Sequence, residues 1–343
     1  MNLTIEEIRA AALGTASVTE ENGKLRFFRF SEAEMELYYN LLPNGTHPFY
    51  DRALCSAGVK LCFRTDSPIL HLGVDAEKHS SRSYCSFDVS VNGKLVDSLC
   101  NFSEQELEED YMVTSLPLGK MEKTFSLGEG EKTVAIDFPF SIQVLDFVLT
   151  RADGASFIPV KPKKRLLVYG DSITQGYDAR YPSRRYGARL ANALEAEEIN
   201  KGIGGEIFRP ALAAISDEKD IDYVTVAYGT NDWSTTNKEV FEPNMRAFYQ
   251  TLSARYPKAK IFAITPIWRK DLDAEKPMGA FSNVHDMIAE AVKDLENVTL
   301  IDGIDLMPHD YKLFADLRLH PRDEGFDFYA QNLIKKIKAC VEG

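Results

Sequence analysis

The chain has 343 residues, 27% of them charged, and a formal net charge of -12. That length exceeds what one hydrophobic core commonly serves, so two domains are expected, and the negative balance argues against nucleic acid, anionic membranes and polyanionic substrates as partners. No stretch approaches the roughly 20 apolar residues of a membrane span, and a neutral or sugar-like substrate fits better.

At the N-terminus, Thr4 followed by Glu7 reads as a capping box that opens a short helix. The first residues carry neither the basic start nor the apolar run of a secretory signal, so the expected location is the cytoplasm. Up to about residue 155 the chain shows short β-type runs separated by turn residues. They include Lys24–Phe30, Gly58–Arg64, Ile69–Val74, Ser86–Val91, Thr133–Phe138 and Ile142–Leu149, with the turn pair Asn92-Gly93 after the fourth. Several alternate apolar and polar residues, as strands with one buried face do, which predicts an all-β sandwich or jelly roll over residues 1–157. Pro159 and Pro162, with Lys161 between them and Lys163 and Lys164 directly after, form the expected linker.

From there to residue 343 the rhythm changes to apolar strands alternating with amphipathic helices. Arg165–Tyr169, Val224–Tyr228, Ile261–Ile264 and Val298–Ile301 read as strands covered on both faces. Helices are expected near Ser183–Glu195 and over Lys238–Arg255, Asn283–Leu295 and Asp323–Cys340. This alternation implies an open, doubly covered α/β sheet with right-handed crossovers. The five cysteines (Cys55, Cys62, Cys85, Cys100, Cys340) have no CxxC spacing, so neither a disulfide framework nor a zinc site is indicated.

In such a sheet ligands bind beyond the carboxyl ends of the strands, and unusual sequences stand at those points. Gly170-Asp171-Ser172 follows the first strand, where a small residue permits a sharp turn and the serine hydroxyl faces out at a helix start. The bland reading makes Ser172 a helix cap, and taken singly it is at least as good. Asn200-Lys201-Gly202-Ile203-Gly204-Gly205 can bring backbone N–H groups close to a ligand, although glycine-rich turns are common. Gly229-Thr230-Asn231-Asp232 offers a side-chain amide at a strand end, with an Asx-turn as the alternative. Asp316-Leu317-Arg318-Leu319-His320-Pro321 precedes the last helix, and His320 is favoured over its rival His309, beside Asp310.

The joint order of Ser172, Gly205, Asn231 and His320 resembles the SGNH (GDSL) hydrolase family, from about Arg165 to the end. The resemblance implies a three-layer flavodoxin-like domain and a serine esterase without metal or cofactor. Ser172 would be its nucleophile and His320 its general base. The N–H groups of Ser172 and Gly205 and the Asn231 amide would bind the oxyanion. One departure stands out: the family's aspartate usually lies three residues before the histidine, where this chain has Leu317. Either Asp316 reaches His320 through a bulged loop, or a backbone carbonyl such as that of Arg318 orients the imidazole in a Ser–His dyad. Asp171 and Asp232 are expected to hold their loops.

A β-sandwich ahead of such a domain is similar to the arrangement in carbohydrate esterase family two, which points to deacetylation of xylan- or mannan-type oligosaccharides. Trp233, Trp268, Tyr177 and Arg180 are the expected substrate-binding residues, the two tryptophans as sugar platforms. A lipase-like or thioesterase-like acylhydrolase on short acyl chains, or an inactive carbohydrate-binding protein, are the alternatives. A homo-oligomer is left open.

Overall fold

The computed structural model describes residues 1–103, 107, 115–216 and 218–342. Thr4 and Glu7 form the reciprocal cap of helix Ile5–Ala11, as read from sequence. Strand Lys60–Thr65 pairs antiparallel with Lys132–Asp137, which pairs with Ser86–Val91, and that strand with Lys94–Cys100. Ala12–Leu13 and Ile158–Pro159 add to the other side of Lys60–Thr65. The second sheet orders Ile142–Arg151, Ile69–Lys78 and Lys120–Ser126. Asn92 and Gly93 take φ of 50° and 77°, the left-handed pair that a two-residue hairpin turn demands. One apolar cluster receives side chains from both sheets, among them Leu61, Phe63, Leu70, Leu72, Phe87, Val89, Ile136 and Phe147.

The second architecture is a five-stranded parallel sheet, in the spatial order Ala196–Asn200, Lys164–Gly170, Tyr223–Ala227, Lys260–Ile264, Val298–Ile301. Along the first strand in sequence, Leu167 and Tyr169 enter the cluster holding Phe248, Tyr249, Leu252 and Ile288. Leu166 and Val168 enter the opposite one with Tyr186, Leu190, Phe326, Leu333 and Ile337. Helices Lys238–Arg255 and Ser282–Val292 therefore cover one face, and Tyr186–Ala193 and Asp323–Glu342 the other.

The edge strand Ala196–Asn200 is the element of this sheet that the sequence hid. Its Glu197 and Glu198 break any apolar run, yet Glu198 is buried in a two-point ion pair with Arg185, at 2.8 and 3.0 Å. The helix expected to begin near Ser183 starts at Tyr186, because Pro182–Arg184 forms a 3₁₀ turn first.

The two architectures interlock. Phe30, Tyr38 and Ala53, from the first 60 residues, pack into the cluster beneath helix Lys238–Arg255. Lys201, fully buried, bonds Glu34 at 2.7 Å. Arg29, also buried, donates to the carbonyls of Cys55, Asn200, Gly202 and Arg52 at 2.8–3.0 Å. Its guanidinium braces two stretches of irregular backbone at once, the turn at Arg52 and Cys55 and the glycine loop at Asn200 and Gly202.

Candidate active site

The strand order brings three loops to one crevice. Lys164–Gly170 lies between Ala196–Asn200 and Tyr223–Ala227, and the chain reverses its direction of winding at that point, where α/β sheets bind ligands. The segments following these strands carry Ser172, Gly202–Gly205 and Asn231. Gly170 and Ala227 are direct partners in the ladder, so the first and third loops start side by side.

Asp171 caps the single helical turn Ser172–Gln175 by accepting from Ile173 N–H at 2.9 Å, and the turn closes on Gly176 at φ 110°. Ser172 is only 4% exposed. Its Oγ lies 2.9 Å from Nε2 of His320. On the far side of the ring, Nδ1 lies 2.9 Å from Oδ2 of Asp316. The other oxygen of Asp316 accepts from the backbone N–H groups of Arg318, Leu319 and His320, at 2.7–3.0 Å. This wrap is possible because Leu317 takes φ 53° and swings the chain around the carboxylate. A bond from Ala315 N–H to His320 carbonyl, 2.8 Å, closes the loop. Asp316 thus reaches the histidine from one residue further back, through the bulged loop. The Arg318 carbonyl accepts from Lys270 N–H at 3.0 Å.

Burial alone would raise the Asp316 carboxyl. The His320 hydrogen bond and charge, with the backbone N–H groups of Leu319 and His320, outweigh it and hold the group well below the usual carboxylate range. Behind Ser172 the balance is reversed. Burial pushes Asp171 up to about 6 and Asp232 up to about 7.

The glycine loop abuts the Ser172–Gln175 turn. A side chain at Gly202 would meet Gln175 N at 2.4 Å, so only glycine fits there. Gly205 takes φ 81° and is exposed. Gln175 ties the parts together, accepting from Gly204 N–H at 2.8 Å and donating to Phe140 carbonyl at 3.0 Å. Among the described residues neither Ser172 N–H nor Gly205 N–H has a hydrogen-bond acceptor. Asn231 donates one amide hydrogen to Glu206 carbonyl at 3.0 Å, which fixes its plane and leaves its second hydrogen to be used. Asp232 accepts from Phe208 N–H at 3.1 Å, so both acids expected to hold loops do so.

The four expected substrate residues fare differently. Trp233 is a correction: it has no exposed surface, donates to Gly279 carbonyl at 2.8 Å and packs edge-on against Phe281. Its ring cannot stack on a sugar. Tyr177 is 4% exposed and lies against the His320 ring, centroids 5.7 Å apart, as a wall of the histidine rather than a surface platform. Arg180 donates from its backbone and Nε to Asp323 at 3.0 and 2.9 Å, which pins the segment after Ser172 to the last helix. Trp268 is half-buried, stacked on His309 with centroids 5.5 Å apart, and lines a cavity of about 890 Å³. Thr265 and Pro266 border that cavity and also a pocket of about 20 Å³ beside Asp171 and Ile173. His309 bonds the Ile304 carbonyl at 3.1 Å.

Three residues escaped the sequence reading. Asp178, fully buried at φ 71°, places Oδ2 3.8 Å from Nδ1 of His320. Arg82 grips Asp178 from the antiparallel half. Arg269 pairs with Asp271 at 2.6 and 2.9 Å and donates to Thr230 and Ser234 at 3.0–3.3 Å, which ties the Trp268 loop to the Asn231 helix. An aspartate in a Gly-Tyr-Asp turn and isolated arginines carry no spacing signal; only the low cost of a left-handed Asp hinted at the first.

Comparison with known proteins follows the same lines. Residues 168–328 match the model of the GDSL-like Lipase/Acylhydrolase family. The chain is similar in fold to the salicylyl-acyltransferase SsfX3 from a tetracycline biosynthetic pathway (20% identity, 96% of this chain and 94% of that one, TM-score 0.78). It is similar to a Bacteroides ovatus protein described as a GDSL-like lipase (19% identity, 100% and 98% covered, TM-score 0.76). A family two carbohydrate esterase from Clostridium thermocellum, solved with cellohexaose, has 16% identity over 84% and 94% of the chains, TM-score 0.57. A search of curated proteins by sequence finds no match. Residues 168–328 thus resemble a GDSL-like lipase/acylhydrolase domain, and the chain is an enzyme of the esterase and acylhydrolase class.

Proposed function

We propose that this enzyme removes O-acetyl groups from carbohydrates, xylan- or mannan-type oligosaccharides in particular, through an acyl-enzyme on Ser172. The carrying observation is the hydrogen-bonded line Ser172–His320–Asp316, with 2.9 Å at both links. Ser172 Oγ attacks the ester carbonyl carbon while His320 Nε2 takes the hydroxyl proton. Asp316 holds the imidazole in the tautomer that leaves Nε2 free to accept, and stabilises the imidazolium that forms. The N–H groups of Ser172 and Gly205 and the second amide hydrogen of Asn231 receive the oxyanion. The sugar oxygen leaves with the proton from Nε2, and water repeats the cycle to release acetate. No step calls for a metal.

The substrate side rests on two supports. The Clostridium thermocellum esterase, which shares this fold, was solved with cellohexaose. The cavity beside Trp268 mixes aromatic and apolar walls (Phe281, Pro266, Leu272) with Asp273, Glu275 and Lys276, a lining that suits the alternating faces of a sugar. The test is release of acetate from acetylated xylo- and manno-oligosaccharides, against p-nitrophenyl esters of increasing chain length. Faster turnover of longer acyl chains than of acetyl would replace this reading with a short-chain acylhydrolase.

A further inference from the structure

The Nδ1 side of His320 meets two carboxylates. Asp316 takes the hydrogen bond at 2.9 Å, and Asp178 Oδ2 stands 3.8 Å away. Asp178 is held from the antiparallel half of the chain. Arg82 Nε donates to its Oδ1 at 2.6 Å, Arg82 Nη2 to its Oδ2 at 3.0 Å, and the Tyr84 hydroxyl to its Oδ1 at 2.8 Å. The same guanidinium lies 5.4 Å from the centre of the Tyr177 ring, which also packs against Phe140 and against the imidazole itself. The remaining groups facing the ring are Ser172 and, beyond the nucleophile turn, the buried Asp171.

Two bare carboxylates against one imidazole would favour its protonated form, which cannot accept the serine proton. A guanidinium locked two-point onto one of them removes that penalty and keeps the carboxylate in place. We propose that Arg82 is a positioning residue for His320: it neutralises and fixes Asp178 behind Nδ1, so the imidazole keeps its orientation without facing a second uncompensated charge. The inference rests on reading His320 as the general base. It makes the antiparallel half part of the catalytic apparatus rather than an appendage to it.

The experiment is an NMR titration of the full-length protein carrying ¹³Cε1-labelled histidine, with the His320 signal assigned from its loss in His320→Gln. Arg82→Gln removes the charge and is expected to move the His320 midpoint up by about one pH unit. Asp178→Asn leaves Arg82 uncompensated and is expected to move it down by a similar amount. The double variant is expected to return it to the wild-type midpoint, and Arg82→Lys to stay near it. The acid limb of the kcat/KM profile is expected to move in step. Midpoints that coincide in all of these proteins would overturn the inference. Asp178→Asn preserves shape, so it decides the matter even if Arg82→Gln does not fold. The titration reads the ring directly, so failure here is distinct from failure of the esterase reading, which ester turnover by Ser172→Ala would reveal.

Discussion

His320 and Asp316 are hydrogen-bonded side chain to side chain across a single left-handed residue, Leu317, with Nδ1 2.9 Å from Oδ2. The carboxylate is a hub: one oxygen orients the imidazole while the other collects three backbone N–H groups of its own loop. Orientation of the imidazole and shape of the loop therefore depend on one side chain.

Replacing Asp316 with asparagine is expected to lower kcat by about 10²–10⁴, because the amide can stabilise the wrong imidazole tautomer. A dyad oriented by backbone alone would lose little. The comparison is kcat of Asp316→Asn against wild type on p-nitrophenyl acetate, and a drop under about threefold would return the dyad.

The Asp316 carboxyl is depressed in the folded protein, so its contribution to stability is present above the ordinary carboxylate pKa. It is lost as pH falls from there through the lower folded value. Thermal melts between pH 6 and pH 2 are expected to show wild type losing stability more steeply than Asp316→Asn. Parallel curves would count against the assignment.

Asp171 and Asp232 have the opposite sign. Their folded values, about 6 and about 7, are raised by burial, so the stability they carry is complete below the unfolded carboxylate pKa. It declines as pH rises through those values, by an amount on the order of a few kcal/mol for Asp232. Asp232→Asn is expected to flatten the melting curve between pH 5 and pH 8. A melting temperature that rises over that range in wild type would contradict this.

Asn231→Ala is expected to reduce kcat by about 10²–10³ with little change in KM, the signature of a donor that acts on the transition state. Loss confined to KM would assign Asn231 to substrate binding instead.

The two tryptophans separate cleanly. Trp233→Ala, at a position with no exposed surface, is expected to cost about 3–5 kcal/mol of stability in chemical denaturation. Trp268→Ala is expected to raise KM for acetylated oligosaccharides several-fold while leaving p-nitrophenyl acetate almost unaffected. Equal effects on both substrates would remove Trp268 from the sugar site.

What was legible in the sequence follows the periodicity of burial. Strands Lys164–Gly170 and Lys260–Ile264 and helix Lys238–Arg255 announce themselves because apolar side chains recur at the spacing their geometry buries, whereas Val298–Ile301, read as covered on both faces, is an edge strand with only Ile301 buried. The edge strand Ala196–Asn200 did not announce itself, since its Glu198 is compensated by Arg185 from another element. The same limit applies at the site. Ser172, Asn231 and His320 follow or precede readable elements, whereas Asp178 and Arg82 matter only through a contact 96 residues apart in sequence. Trp233 misled because adjacency to Asn231 says nothing about the direction of a side chain on the following helical turn. There it points inward.

The proposed chemistry stands on Ser172 as the nucleophile that His320 activates. Its most direct measurement is hydrolysis of p-nitrophenyl acetate and of an acetylated xylo-oligosaccharide by wild type and Ser172→Ala, with both proteins shown to be folded by equal melting profiles. Wild-type turnover that falls by at least about 10³-fold in Ser172→Ala on both substrates is the predicted result. Turnover that survives the loss of that hydroxyl would exclude Ser172 as the nucleophile.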